Sequence, residues 1–519
     1  MPTEKQSSRF NHLPRAATGA LKCPVTGQLL LSLAQYNKGS AFPNNERKEF
    51  KLHGLLPPKI QTLEEQVDRA YQQYSSCGDD LAKNTFMASM KAQNEVLYYK
   101  DSIEQSLAAN DNAEDIDYIV VSDGEEILGI GDQGVGAILI SAAKLAITTL
   151  CAGIHPSRQL PVVLDCGTNN EELLKNELYL GLQERRVRGK EYDDFVDKFV
   201  QSARKLYPNA YIHFEDFGLQ NARRILDRYQ SEIACFNDDI QGTGCVTLAA
   251  MLAAVQISDV GISDVRVVIF GSGTAGMGIA DQLADAIVTQ ADKSKEDARK
   301  QIWCIDKSGL LLKSQGDELN PAQVPFARDN DEWSSDKKHD LLSVIKQAKP
   351  HVLIGTSTKP NAFSQEIVRE MAKHVERPII FPLSNPTRLH EAKPSDLFNW
   401  TDGKALVATG TECNNSTCFP GIGLGAILSR SRLVSKKMLV AAVEALKAKS
   451  PALEDPTRAL LPDIEDVRDV SVEIAAGVIR CAVEEGLAQE EGIPSDGEEL
   501  KAWIRAQMWD AIYRPLVKQ

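Results

Sequence analysis

Apolar and polar positions follow two rhythms along this chain. Over residues 60–100, apolar side chains such as Leu63, Val67 and Tyr71 recur at helical spacing, which predicts helices, with Tyr98 and Tyr99 closing the region as core aromatics. From Asp117 onward short β-rich runs alternate with helical stretches, the grammar of a parallel α/β architecture. Four runs come first: Tyr118–Val121, Leu160–Leu164, Ala210–Phe214 and Ile233–Phe236. A second unit opens at Val265–Phe270 and continues through Gln301–Ile305, His351–Ile354, Pro378–Phe381 and Ala405–Val407. The most apolar run, Gly244–Ile257, contains Thr247 and Gln256 and reads as a buried helix; no stretch is expected to reach transmembrane length.

Each run of the first unit ends in carboxylates. Asp123 follows the first, Asp165 the second, Glu215 and Asp216 the third, Asp238 and Asp239 the fourth. In parallel sheets ligands bind beyond the carboxyl ends of the strands, so these acids are expected to converge along one edge. One acid at a strand end is ordinary turn chemistry. Two adjacent pairs repel unless a cation lies among them, and hard oxygen donors select Mg²⁺ or Mn²⁺ over zinc. The pattern alone leaves a metal site and plain turns both open.

The second unit carries a different signal. Val265–Phe270 leads straight into Gly271-Ser272-Gly273-Thr274-Ala275-Gly276, and a helical segment follows. A GxGxxG motif between strand and helix is the context of a dinucleotide fingerprint, because its glycines let a pyrophosphate approach the helix N-terminus. Gly271, Ser272, Gly273, Ala275 and Gly276 are therefore candidate cofactor residues; glycines that merely shape a turn are the competing reading. The acid expected to meet the ribose is Asp306, 30 positions after Gly276 rather than the usual ~20. A polar helical insert, Ser294–Lys300, accounts for the excess. An acid at that place favours NAD, while Lys307 beside it leaves NADP open.

A length of 519 residues exceeds one core, so several domains are expected. The composition shifts suggest a helical N-terminal region (1–100), a parallel-sheet catalytic domain for metal and substrate (101–240), a Rossmann-like NAD-binding domain (241–430) and a helical C-terminal region (431–519). The net charge of −14 argues against nucleic acid or an anionic membrane surface as partner. Ten cysteines show no paired short spacing; Cys413 and Cys418 are nearest, with no histidine beside them, so structural thiols are expected. Reduced thiols point to the cytoplasm, and a faint basic bias over Met1–Ala20 keeps the mitochondrial matrix as the alternative.

Six segments, in this order, resemble the malic enzymes: Gly54–Pro58, Ile127–Gly134, Phe214–Gly218, Phe236–Gly242, Leu383–Thr387 and Phe419–Gly423. The phrasing around Lys144 and the ending Ala506–Asp510 are similar to fungal members. The resemblance implies an NAD-dependent enzyme that oxidatively decarboxylates malate to pyruvate and CO₂ with Mg²⁺ or Mn²⁺, assembled as a homo-oligomer, dimer or tetramer. It implies Glu215, Asp216 and Asp239 as metal ligands, Lys144 as general base and Asp238 as the group tuning its charge. Asn385 and Asn414 match the asparagines that hold substrate carboxylate and cofactor.

The resemblance also breaks. The family's general acid is a tyrosine in a Tyr-Thr-Pro motif, and here the chain runs from Tyr99 through Asp101–Asn110 to Asp117 without it. Several dozen family residues are missing with it, and losing a general acid costs ~10²–10⁴-fold in rate. Glu126 stands where many members have a substrate-binding arginine, and the loop between Thr411 and Asn414 is short. Impaired catalysis is therefore expected, and the alternative is a non-catalytic NAD- or metal-binding subunit.

Overall fold

The computed structural model describes residues 20–75, 116–127, 130–333, 339–410 and 413–518. Tyr98, Tyr99, the break within 101–115 and the basic start of the chain lie outside the described residues. Strand β1 is Leu21–Cys23. Counting only helices of eight or more residues, α1 (Leu63–Ser75) follows, and its Leu63, Val67, Ala70 and Tyr74 meet Trp509 near the far end of the chain.

The first sheet holds β2 (Tyr118–Ser122), β3 (Gln159–Val163), β4 (Tyr211–Phe214) and β5 (Cys235–Asn237), all parallel in the order β3-β2-β4-β5. The chain passes between these strands through α2 (Ile138–Ala152), α3 (Gly189–Leu206) and α4 (Leu219–Tyr229). Helix α3 buries Tyr192, Val196, Val200 and Ala203, a stripe at helical spacing, against Ile119, Val121, Ile212 and Phe214. Strand alternation turns Tyr118, Val120 and Tyr211 the other way, into the largest core.

Helix α5 (Thr243–Ile257) links the two sheets, and every residue from Gly244 to Val255 is buried. The second sheet comprises β6 (Val267–Phe270), β7 (Ile302–Asp306), β8 (Gly309–Leu310), β9 (Val352–Gly355), β10 (Ile379–Pro382) and β11 (Leu406–Val407). Its order is β11-β10-β9-β6-β7-β8, parallel except for β8 against β7. Helix α6 (Thr274–Ala291) springs directly from β6, while α7 (Leu341–Ala348) and α8 (Gln365–Ala372) pack on Val268, Leu353 and Ile380. The helices α9 (Phe419–Leu428), α10 (Lys436–Lys447), α11 (Val467–Glu484) and α12 (Gly497–Gln507) follow. The last strand, β12 (Leu516–Lys518), pairs in parallel with β1, so the two ends of the described chain share one small sheet.

One expectation is corrected. Gly134–Ala152 and Asp238–Ile257 are each long and apolar enough to cross a membrane. Here 50% of the first and 83% of the second are buried, because a helix threaded between sheets and helices must be apolar on nearly every side.

Both sheets contain a point where the strand order reverses, between β2 and β4 in the first and between β6 and β9 in the second. Such points open a crevice at the carboxyl ends of the strands, where ligands bind in α/β folds. The candidate chemistry lies at these two crevices.

Candidate active site

Strand β4 runs out at Phe214 and delivers Glu215 and Asp216. Asp216 has φ 51°, a left-handed conformation uncommon outside glycine, and this bend aims its backbone N–H at Asp239 Oδ2, 2.9 Å away. Strand β5 delivers the second pair. Asn237 caps the following turn by accepting from the Ile240 N–H at 3.0 Å, and residues Asp238–Gly242 form a single π-turn before α5 begins. The wide turn splays Asp238 and Asp239 apart.

Carboxylate oxygens of Glu215, Asp216 and Asp239 lie within 4.8 Å of one another. Burial first, and then the charges of Glu215, Asp216 and Asp238, hold the Asp239 carboxyl well above its ordinary range. An all-oxygen set in which Asp239 is crowded enough to resist ionisation fits a hard divalent cation of the Mg²⁺ or Mn²⁺ kind.

A second group, His213, Glu215 and Asp238, is equally close. Lys144 already serves that group as its cation: Nζ stands 2.9 Å from Glu215 Oε1 and 2.5 Å from Asp238 Oδ2. Helix α2 carries this lysine on an otherwise apolar stretch, its side chain only 19% exposed and its ammonium 5.0 Å from the Phe419 ring centre. Burial alone would lower its pKa, but the charges of Asp238 and then Glu215 outweigh that and hold it well above the ordinary value. Glu215 answers in the opposite direction. Burial raises its carboxyl, yet Lys144 and the His213 hydrogen bond bring it below the usual range.

The glycine turn lies across the crevice. Gly271 has φ 107°, and a Cβ there would stand 2.5 Å from the backbone of Thr356 and Ser357, so the loop after β9 packs tightly against the turn. A Cβ on Gly276 would meet the Gly271 carbonyl at 2.0 Å, which locks α6 onto β6. Gly273 has nothing within 4 Å of such an atom and is the open side of the turn. Ser272 is fully buried and donates to the Ile305 carbonyl at 3.0 Å, so its hydroxyl serves the turn itself. Asp306 ends β7; its carboxylate accepts from the Lys307 N–H at 2.9 Å and from Gln323 Nε2 at 3.0 Å.

One cavity of about 350 Å³ connects the two crevices, lined among others by Lys144, Asp239, Ala275, Asn385, Asn414 and Glu126. The structure thus brings the expected base, one expected metal ligand, the glycine turn and both asparagines around one space. Glu126 lines it too, the place foreseen for a substrate-binding group.

The six strand-end acids do not all converge. Asp123 accepts from the Tyr192 hydroxyl at 2.6 Å and the Glu125 N–H at 3.0 Å, and Asp165 from the N–H groups of Gly167 and Leu182. These two follow β2 and β3; each accepts one turn N–H two residues on and one hydrogen bond from a distant segment, which accounts for them without a cation.

Comparison with known proteins adds the decisive observation. Residues 69–230 match the family model described as malic enzyme, N-terminal domain, and 240–483 match malic enzyme, NAD binding domain. The chain belongs to the malic enzyme family. The mitochondrial NAD-dependent malic enzyme of Saccharomyces cerevisiae is 45% identical over 96% of this chain and 85% of its own length. The NAD-dependent malic enzyme of Schizosaccharomyces pombe is 40% identical over 97% and 100%. A solved malic enzyme from Entamoeba histolytica shares the fold, with TM-score 0.60 at 22% identity over 88% of this chain and 90% of that one.

In this malic enzyme fold two further residues bear on the cavity, Asn415 by lining it and Glu391 from behind it. Asn415 Nδ2 donates to Asp238 Oδ2 at 3.1 Å and to its carbonyl at 3.2 Å, bridging α9's approach to the π-turn. Its adjacency to Asn414 was the available signal. Glu391 is fully buried and accepts from Ser357 N–H and Oγ, each at 2.8 Å, and from Ser384 Oγ at 2.5 Å. It ties together the loops after β9 and β10 that carry Thr356 and Asn385, and nothing in its sequence context marks it.

Proposed function

We propose that this chain oxidises (S)-malate to pyruvate and CO₂ with NAD⁺ and a divalent metal. The observation that carries the reading is the shared cavity, where Lys144 and Asp239 face Ala275 of the glycine turn and Asn385. NAD-dependent relatives at 40–45% identity support the same activity.

Glu215, Asp216 and Asp239 would hold the metal. Once bound, the divalent ion supplies Lewis-acid polarisation of malate's C2 oxygen and of the enolate left by decarboxylation, and NAD⁺ supplies the oxidant. Lys144 takes the C2 hydroxyl proton. Asp238 and Glu215 flank its ammonium at 2.5 and 2.9 Å and hold it in place for that transfer. Asp238 is the immediate proton partner at 2.5 Å. Asn385 and Asn414 orient substrate carboxylate and cofactor, the turn from Gly271 to Gly276 receives the pyrophosphate, and Asp306 meets the ribose.

Protonation of C3 needs an acid, and the family's tyrosine belongs to the segment expected to be missing. The match to the Saccharomyces enzyme runs over 567 positions, 48 more than this chain has residues, which supports an internal loss. Reduced turnover is part of the proposal. The Saccharomyces relative is named mitochondrial, which supports the matrix over the cytoplasm. The domain divisions near 100, 240 and 430, and assembly as a homodimer or tetramer, complete the reading.

A coupled assay of the purified chain with malate, Mn²⁺ and NAD⁺ or NADP⁺ tests it. Equal yields of pyruvate and reduced NAD uphold the enzyme. Bound NAD⁺ without turnover favours the second reading, a binding subunit, which the same internal loss motivates.

A further inference from the structure

We infer that His213 is a positioning residue for Glu215, acting through a buried hydrogen-bond chain that begins at Tyr118. The inference rests on the reading of Glu215, Asp216 and Asp239 as the metal site.

Residues Tyr211, His213 and Glu215 alternate onto one face of β4, and β2 sets Tyr118 directly opposite Tyr211 on the same face. The His213 ring is fully buried in an aromatic box, edge-on to Phe236 at 5.6 Å and to Phe419 at 5.3 Å between ring centres. A polar ring in such a box is costly unless both nitrogens are satisfied. Both are: Nδ1 is 2.8 Å from the Tyr118 hydroxyl and Nε2 is 3.2 Å from Glu215 Oε2.

The partners fix the direction of the chain. An ionised carboxylate only accepts, so Nε2 carries the hydrogen toward Glu215, and in the neutral imidazole Nδ1 then accepts from Tyr118. Lys144 Nζ holds the other oxygen, Oε1, at 2.9 Å. With one donor on each oxygen the carboxylate plane cannot rotate, and its remaining lone pairs stay directed at the cluster with Asp216 and Asp239. A buried core histidine with no such task would need only a backbone carbonyl. This one reaches a metal ligand two positions along its own strand.

Removing such a supporting partner typically costs ~10–100-fold in metal affinity. The test measures Mn²⁺ binding to the purified full-length chain by the paramagnetic resonance signal of free Mn²⁺, with NADH binding measured in parallel. His213→Phe, which suits the aromatic box but cannot donate, is expected to weaken Mn²⁺ ~10–100-fold and leave NADH affinity unchanged. His213→Gln, which can still donate, is expected to restore most of the loss, a rescue that mere filling of the box does not predict. Tyr118→Phe is expected to weaken Mn²⁺ less, and it carries the test if His213→Phe fails to fold. Mn²⁺ affinity equal to wild type in both the His213→Phe and Tyr118→Phe chains overturns the inference. A wild-type chain that binds no Mn²⁺ overturns the metal reading itself, and this inference with it.

Discussion

Lys144 Nζ and Asp238 Oδ2 meet at 2.5 Å across 94 positions of sequence, one from a helix flanking the first sheet and the other from the π-turn that leads into the second. The same ammonium also reaches Glu215 Oε1 at 2.9 Å. Asp238 is 1% exposed and Glu215 4%, so the ammonium is the counter-charge for two buried carboxylates. Lys144→Ala is expected to lower kcat by ~10²–10⁴-fold relative to the unaltered chain. It also leaves buried charge uncompensated, which costs ~3–5 kcal/mol of stability. Steady-state kinetics and denaturation of the same preparation check both; full activity removes Lys144 from the proton path.

Asp239 carries the opposite sign. Its carboxyl is held well above the ordinary range by burial and by three neighbouring acids, so the metal-free fold bears a repulsion that an amide does not. Asp239→Asn is expected to raise the melting temperature of the metal-free protein while shrinking the further rise that Mn²⁺ produces. Thermal melts with and without Mn²⁺ read both effects. A variant stabilised by Mn²⁺ as fully as the wild type would remove Asp239 from the ligand set.

Most strands were legible because each is a short apolar run closed by a polar turn: the nine expected runs each overlap an observed strand, while the short β1, β8 and β12 were not expected. The glycine turn was legible because a tight strand-to-helix junction admits few residues. Which strand-end acids face the cavity was not. Asp123 and Asp216 look alike in sequence, and only the folded partners separate them: Asp123 accepts from the Tyr192 hydroxyl and the Glu125 N–H, while Asp216 meets Asp239. Glu391 and His213 were hidden for another reason: their work is done on residues brought close by tertiary packing.

Two glycines of the turn, Gly273 and Gly276, make different predictions although the motif writes them alike. Gly273 sits at φ −77° with open space where an alanine methyl would stand, so Gly273→Ala is expected to leave stability within ~0.5 kcal/mol. The methyl would project into the approach proposed for the pyrophosphate and weaken NAD⁺ binding. Gly276→Ala would drive a methyl to 2.0 Å from the Gly271 carbonyl, so it is expected to destabilise the fold by ~1–3 kcal/mol as well. Calorimetric NAD⁺ titration beside denaturation distinguishes the pair. Equal stability losses in both would mean that the turn is shaped by sterics alone.

Asp306 is held in place by the Lys307 N–H and Gln323, with its carboxylate at the end of β7 where a ribose would lie. Asp306→Ser removes that carboxylate and its repulsion of a 2′-phosphate while Lys307 remains. The ratio of kcat/KM for NAD⁺ to that for NADP⁺ is expected to fall by at least ~10-fold, since one charge-assisted hydrogen bond is worth ~1.5–3 kcal/mol. An unchanged ratio would place cofactor discrimination elsewhere.

Asp123 yields the pH prediction. Burial, above all, lifts its carboxyl from the ordinary 3.8 to about 6, against the opposing hydrogen bond from Tyr192 and the charge of Arg186. A group whose folded pKa exceeds its unfolded value binds its proton more tightly in the native state. Its stabilising contribution is therefore complete below about pH 4 and lost as pH rises through about 6. Two units of difference correspond to ~3 kcal/mol, an upper figure for the change between acid and neutral pH. Asp123→Asn keeps an acceptor for the Glu125 N–H and carries no titrating group. The variant is expected to gain on the wild type as pH rises from 5 to 8, by up to ~1.5 kcal/mol in chemical denaturation, since about half of the loss falls below pH 5. Parallel profiles across that range would mean that Asp123 stays ionised in the fold, with Arg186 and the Tyr192 hydroxyl offsetting its burial in full.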